Sequence, residues 1–281
     1  MNIRIQTLTT RLEEMGLSFM AAGLESFLEE EARRDSSLLE MISRLVETEY
    51  IPRKERAIRS RLKLSEIPVK KRLEDFDLSW LKGGLSPGKF TELKTLSFVE
   101  RKENVVLLGA SGLGKTHLMS AQARGSQENH ILLGASGLGK THLMSALAYE
   151  ACVAGYTAYF ISSTNLMETL QHARAQNRLK RKLTWLKKPH LLVIDEVGYE
   201  NYTAEQANMF FQLVNARYEH GSVIITTNKP FGKWAEIMAD EAIATATLDR
   251  LLHHAHIISL KGDSYRMKDR LKMGVVDSLG L

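Results

Sequence analysis

The sequence predicts an α/β fold with a parallel central sheet, preceded by a small all-α domain, on three observations. Short aliphatic runs alternate with helical stretches from residue 104 onward, a GxxxxGK[ST] loop follows the first of those runs, and residues 1–64 carry helical periodicity throughout. The runs are NVVLLG, TAYFIS, HLLVIDE, SVIITTN and HIISL. Strands separated by helices are joined by crossovers, so they run parallel with helices on both faces.

The helical part comes first in the chain. Met20, Leu24, Phe27 and Leu28 recur at helical spacing, as do Leu38, Met41, Ile42 and Leu45. Ser37 followed by Glu40 has the spacing of a capping box that opens the latter helix. Residues 65–103 then mix Pro68, Pro87 and the Gly83-Gly84 pair with charged stretches, which predicts a linker. The α/β domain is expected over 104–272, with a tail at 273–281.

Composition narrows the setting. The single cysteine, Cys152, rules out an internal disulfide and any cysteine-rich zinc site, which suits a reducing, cytoplasmic location. No run of about 20 apolar residues is present, so no membrane association is expected. Net charge is +5, but residues 1–50 hold ten acidic and five basic side chains, so the remainder carries the whole excess. That excess concentrates in RKERAIRSRLKL at 53–64, which contains Arg59 and Arg61, and in HARAQNRLKRKLTWLKKP at 172–189, which contains no acid. Such runs are often plain solvated helix faces; they also suit phosphate contact, because each Lys or Arg near a nucleic-acid phosphate releases counterions.

The chemistry is carried by the loop. Gly134, Ala135, Ser136, Gly137, Leu138, Gly139, Lys140 and Thr141 match GxxxxGK[ST]. The glycines let backbone N–H groups turn inward around phosphates, the lysine neutralises β- and γ-oxygens, and the threonine hydroxyl ligates Mg²⁺. ATP and Mg²⁺ are therefore the expected cofactors. Downstream, LLVIDE sets Asp195 and Glu196 at the end of a buried strand, where Asp195 would hold the metal and Glu196 would polarise the attacking water. SVIITTN ends on Asn228, a polar residue suited to holding that water. The His253, His254 and His256 cluster has no ligand-like partners elsewhere in the sequence, and no metal role is assigned to it.

These residues resemble the DnaC/IstB branch of the AAA+ ATPases, most closely the IstB-type helper ATPases of bacterial insertion sequences. The likeness runs from LEEMGLSFMAAGLESFLEEE through LLGASGLGKTHLMSALAYEACVAGY, LLVIDEVGY and VIITTNKPFGKW to TLDRLLHHAHIISLKGDSYR. It implies an ATP-hydrolysing homo-oligomer that assembles on DNA, preferably duplex, and recruits or activates a cognate transposase. It also implies that Arg250 is a finger acting on a neighbour's ATP and that Arg266 is a sensor of bound nucleotide. In this branch the segment between the second strand and the DE strand presents DNA-contacting helices, which makes Lys180, Arg181 and Lys182 the candidates here. A helicase loader of the DnaC type is the near alternative, and a catalytically disabled DNA-binding relic is the alternative from another class.

One feature departs from the family pattern. Residues 103–121 match 128–146 at 17 of 19 positions, differing only where Val105-Val106 becomes His130-Ile131. The chain thus holds a second loop, with Gly109, Gly112, Gly114, Lys115 and Thr116. The second copy alone runs on into a full helix, so Lys140 is favoured over Lys115, and residues 104–129 are then expected as an insertion ahead of the central strand. If the first loop is used, the insertion falls within the first crossover instead. Two equally good strands competing for one slot would frustrate folding.

Overall fold

The computed structural model describes residues 3–76, 78, 84–108 and 140–259, which divide into two compact units at Lys63/Leu64. The first unit holds α1 (Ile3–Glu14), α2 (Ser18–Glu31) and most of α3 (Leu38–Leu64). The capping box forms as expected: the Ser37 N–H donates to the Glu40 carboxylate (2.9 Å) and the Glu40 N–H donates to the Ser37 hydroxyl oxygen (3.4 Å).

Helix α2 has no capping side chain of its own at its N-terminus. Buried Glu49 of α3 supplies one, accepting from the N–H groups of Phe19 (2.8 Å) and Met20 (3.0 Å), a negative charge at the positive helix end. At the other end of α2, Glu31 pairs with Arg44 of α3. These two ties turn positions 44 and 49 toward α2. Leu38 and Ile42, two of the apolar residues that recur at helical spacing, are 69% and 46% exposed.

The second unit begins with the segment expected as a linker. It carries α4 (Pro87–Lys94), capped by Ser86 with Pro87 at its first position, and the short α5 (Ser97–Glu100). Phe90, Leu93, Phe98 and Val99 are buried there, and the Ser222 hydroxyl donates to the Phe98 carbonyl, so this stretch packs as part of the second unit.

The sheet has five parallel strands: β1 (Asn104–Leu108), β2 (Ala158–Ser162), β3 (Leu191–Val197), β4 (Ser222–Thr227) and β5 (Ala255–Ser259), in the order β2-β3-β4-β1-β5. Between them run α6 (Lys140–Ala154), α7 (Ser163–Ala175), α8 (Leu179–Lys187), α9 (Ala204–Arg217), α10 (Trp234–Met238) and α11 (Glu241–Leu252). Strands β3 and β4 are buried on both faces, which is why their sequences read as continuous aliphatic runs rather than alternating ones. The chain leaves β1 toward β2 on one side and returns from β4 to β5 on the other, so the carboxyl ends of β1, β4 and β3 border the crevice where α/β sheets bind ligands.

The repeat is divided between its copies. The central strand β1 comes from the first copy and the following helix α6 from the second. The expectation that 104–129 would precede the central strand is therefore corrected: Asn104–Leu108 is that strand, and the added length falls between it and α6. Residues 109–139 lie outside the described residues, and with them the strand candidate of the second copy.

The choice of strand has a physical basis. Asn104 is bound on both flanks: its amide NH₂ donates to the Leu251 carbonyl (3.0 Å), and its amide oxygen accepts from Val223 N–H (2.9 Å). Glu103 pairs with His256 at 2.8 Å. The second copy offers the same Glu-Asn pair, so these bonds do not discriminate between the copies. Val105 and Val106 do. They are 0% and 1% exposed, with Val105 in register between Ile224 and His256. In that position His130 would bury an imidazole beside a second histidine, at about 1–3 kcal/mol if left unpaired.

Two variants test this. Val105→His should lower stability in denaturant melts by about 1–3 kcal/mol. Removing residues 109–133, which joins Leu108 to Gly134, should raise stability by about 1.5 kcal/mol, because the connection shortens to the six residues of a single-copy loop.

Candidate functional site: the carboxyl edge of the sheet

Lys140 and Thr141 open α6, directed by that helix to the crevice beyond β1, β3 and β4. The Thr141 hydroxyl donates to Asp195 Oδ2 at 3.1 Å, which joins the end of the phosphate loop to the DE pair. Asp195 is buried at the end of β3, and it also accepts from the hydroxyl of Thr226 on β4. Burial pushes its carboxyl up, against the opposing pull of Thr226, Thr141, the Glu196 N–H and the Lys140 charge. Burial likewise pushes the Lys140 ammonium down, opposed by Asp195 and Glu196. Each group is costly to ionise alone, and their mutual attraction offsets part of that cost.

Glu196 follows with its side chain exposed and its backbone left-handed, at φ 62°. The β3–β4 register shifts between Ile194 and Val197, so Glu196 sits on a bulge that turns it out of the strand. Asn228 stands immediately after β4, half-buried, and its buried side-chain oxygen has no hydrogen-bond partner among the described residues. Lys140, Thr141, Asp195, Glu196 and Asn228 thus gather at one edge of the sheet. Gly134, Ala135, Ser136, Gly137, Leu138 and Gly139 lie outside the described residues, as do Gly109, Gly112, Gly114, Lys115, Thr116 and Arg266.

Arg250 is elsewhere. It occupies the last turn of α11, shortly before β5 begins, and so lies at the amino edge of the sheet, about 16 Å of strand away from the DE pair. Its guanidinium donates to Asn215 Oδ1 (2.7 Å) and the Ala246 carbonyl (3.2 Å) and lies over the Phe211 ring.

A family model described as IstB-like ATP binding protein matches residues 10–127 and, again, 124–273. The chain belongs to that family. It is 38% identical over 272 residues to the insertion sequence IS21 putative ATP-binding protein of Pseudomonas aeruginosa, covering 97% of this chain and 92% of the relative. It is 36% identical over 254 residues to the IS5376 putative ATP-binding protein of Geobacillus stearothermophilus, covering 90% and 91%. Among solved structures, DnaA bound to AMPPCP and single-stranded DNA aligns with a TM-score of 0.52 at 16% identity, covering 76% of this chain and 58% of that one. AMPPCP-bound DnaA from Aquifex aeolicus aligns at 0.51 and 15%, covering 76% and 57%. The present chain spans a little over half the length of those DnaA chains. The likeness establishes the AAA+ fold. That the family match comes in two pieces meeting at 124–127, between the two copies, agrees with the repeat being foreign to the family pattern.

In this IstB-like chain the acid-free run forms the end of α7 and all of α8. Leu186 of α8 is buried, while Lys180 and Arg181 are exposed and Lys182 lies over the Trp185 ring at 4.4 Å. Burial pushes the Lys182 ammonium down. A groove of about 410 Å³ between the two helices is lined by His172, Gln176, Arg178, Arg181, Lys182 and Trp185. Arg59 and Arg61 belong to α3, in the first unit.

What sequence reasoning missed is the support behind α8. Arg217, 1% exposed, donates to the carbonyls of Leu186 (2.8 Å), Lys187 (3.3 Å), Pro189 (3.0 Å), His190 (3.4 Å) and Ser222 (2.9 Å). Burial lowers its pKa to about 10. A cation at the negative end of α8 closes the carbonyls that the helix leaves open and ties them to the start of β3 and β4. Gly221 leaves room for it, since a Cβ there would meet the guanidinium at 2.7 Å. Arg217→Met should cost about 3 kcal/mol or more in a denaturant melt, through carbonyls stranded without donors. A change under about 0.5 kcal/mol would contradict this role.

Proposed function

We propose that the chain is an ATP-hydrolysing helper of transposition that oligomerises on duplex DNA and recruits or activates its transposase. The observation that carries the nucleotide part is the link from Thr141 at the start of α6 to Asp195 beside Glu196. Lys140 would neutralise the β- and γ-phosphates of ATP. The hard oxygens of Thr141 and buried Asp195 suit Mg²⁺, which would supply charge neutralisation at the phosphates. Glu196 would take a proton from the attacking water and Asn228 would hold that water, while the bond from the γ-phosphorus to the bridging oxygen breaks and ADP leaves.

The position of Arg250 supports a role in trans. At the amino edge of its own sheet it is remote from its own DE pair, so its charge would act on nucleotide held by a neighbouring copy. Arg266 remains the proposed sensor. The names of the relatives, ATP-binding proteins of insertion sequences, support the transposition setting over a helicase loader.

DNA contact is assigned to the cations of α8, together with Arg59 and Arg61 of α3. The exposed indole of the α7–α8 groove, Trp185, is covered by Lys182 and met edge-on by Tyr159, centroids 4.8 Å apart. A ring so engaged braces a backbone-tracking surface rather than offering a stacking platform, which favours duplex.

Three measurements test these assignments. Lys140→Ala should abolish binding of a fluorescent ATP analogue, Lys115→Ala should leave it within about twofold, and Glu196→Gln should bind yet hydrolyse at least about 100-fold more slowly. Loss of binding in Lys115→Ala alone would move the site to the first loop. Replacing Lys180, Arg181 and Lys182 together by alanine should weaken duplex binding and lower the slope of log affinity against log salt by about 0.9 for each lost phosphate contact. An unchanged slope would remove α8 from the interface.

A further inference from the structure

We propose that Thr226 is a positioning residue for hydrolysis: a single hydroxyl orients the Asp195 carboxylate and at the same time holds the backbone of Glu196. The inference rests on reading Asp195 and Glu196 as the hydrolytic pair. Thr226 lies within β4, 1% exposed, two residues before Asn228. Its Oγ1 donates to Asp195 Oδ1 and accepts from Glu196 N–H at 2.8 Å. A hydroxyl has one proton to give and lone pairs to receive, and both capacities are spent on adjacent residues of the pair.

The arrangement stands where the main-chain ladder is interrupted. Ile194 pairs with Ile225 and Val197 with Thr227, leaving the two acids in the irregular stretch. The N–H of Glu196 is held by the Thr226 side chain, while the residue adopts a left-handed backbone that non-glycine residues seldom take. A conformation of that kind persists where its surroundings hold it. Thr226 is part of that hold, and it couples two distinct tasks: the direction of the carboxylate assigned to the metal and the exit angle of the residue assigned to the water.

The variants that isolate the hydroxyl are Thr226→Val, which keeps the branched shape, and Thr226→Ser, which keeps the oxygen. Amide exchange at Glu196 reads the backbone hold without any nucleotide. Thr226→Val should raise that exchange at least tenfold while the amides of Val223 to Ile225 keep their protection, and Thr226→Ser should stay near the parent. Steady-state hydrolysis reads the consequence: kcat should fall at least tenfold in Thr226→Val with KM for ATP within about threefold, and Thr226→Ser should recover most of kcat. Unchanged Glu196 exchange in Thr226→Val overturns the inference, as does a serine variant as impaired as the valine one, which would make packing the cause. A parent chain that hydrolyses no ATP, yet shows the exchange pattern above, would remove the hydrolytic reading while leaving the backbone hold established.

Discussion

One slot in a parallel sheet constrains everything else in the second unit. Strand β1 lies between β4 and β5, Val105 through Leu108 are buried, and the crevice at its carboxyl end is where α6 must begin. Only one strand can hold that position, although the sequence supplies two nearly identical candidates. Hydrogen bonding through the Asn side chain and the Glu–His pair would serve either copy. The decision falls to two side chains, buried valines against a histidine and an isoleucine, where an imidazole left unpaired would be costly. The helix is chosen by a different criterion. After Thr141 the chain continues through Leu143, Met144, Leu147 and Ala151, all buried, whereas the first copy reaches Gln122, Arg124 and Gly125 within the same distance. Each half of the motif is selected by what it buries.

Once α6 is set, the site follows from the ends of β3 and β4. Thr141, Thr226 and the Glu196 N–H all bear on Asp195 or its neighbour, so a buried carboxyl that would be costly alone sits within a bonded group. Arg217 does comparable work at the opposite edge of the sheet, tying the end of α8 to β3 and β4 through carbonyls alone. The basic helix is therefore anchored to the start of the strand that carries the acids.

Much of this was legible in advance. The strands announce themselves because strands buried on both faces are aliphatic throughout, and Asp195, Glu196 and Asn228 converge because parallel strands end together. Thr226 and Arg217 were not legible, since a threonine in a strand and an arginine in a helix are ordinary there; only three-dimensional neighbours reveal one hydroxyl shared by two acids or one guanidinium shared by five carbonyls. The division of the repeat was also hidden. The sequence treats each copy as a strand-loop-helix unit, and nothing in either copy states that the fold can take a strand from one and a helix from the other. In the first unit, periodicity gives the helices but carries no information about the Glu31–Arg44 and Glu49 ties that set how α3 meets α2.

The division of the repeat is tested most directly by amide exchange on the full-length chain, where peptides containing Val105-Val106 and peptides containing His130-Ile131 differ in mass. The amides of Val105 to Leu108 should exchange only through global unfolding, with the protection of Ile224 and Ile225 beside them. Exchange at 105–108 as fast as in an unfolded chain, with Ile224 and Ile225 still protected, would contradict the assignment of the central strand to the first copy.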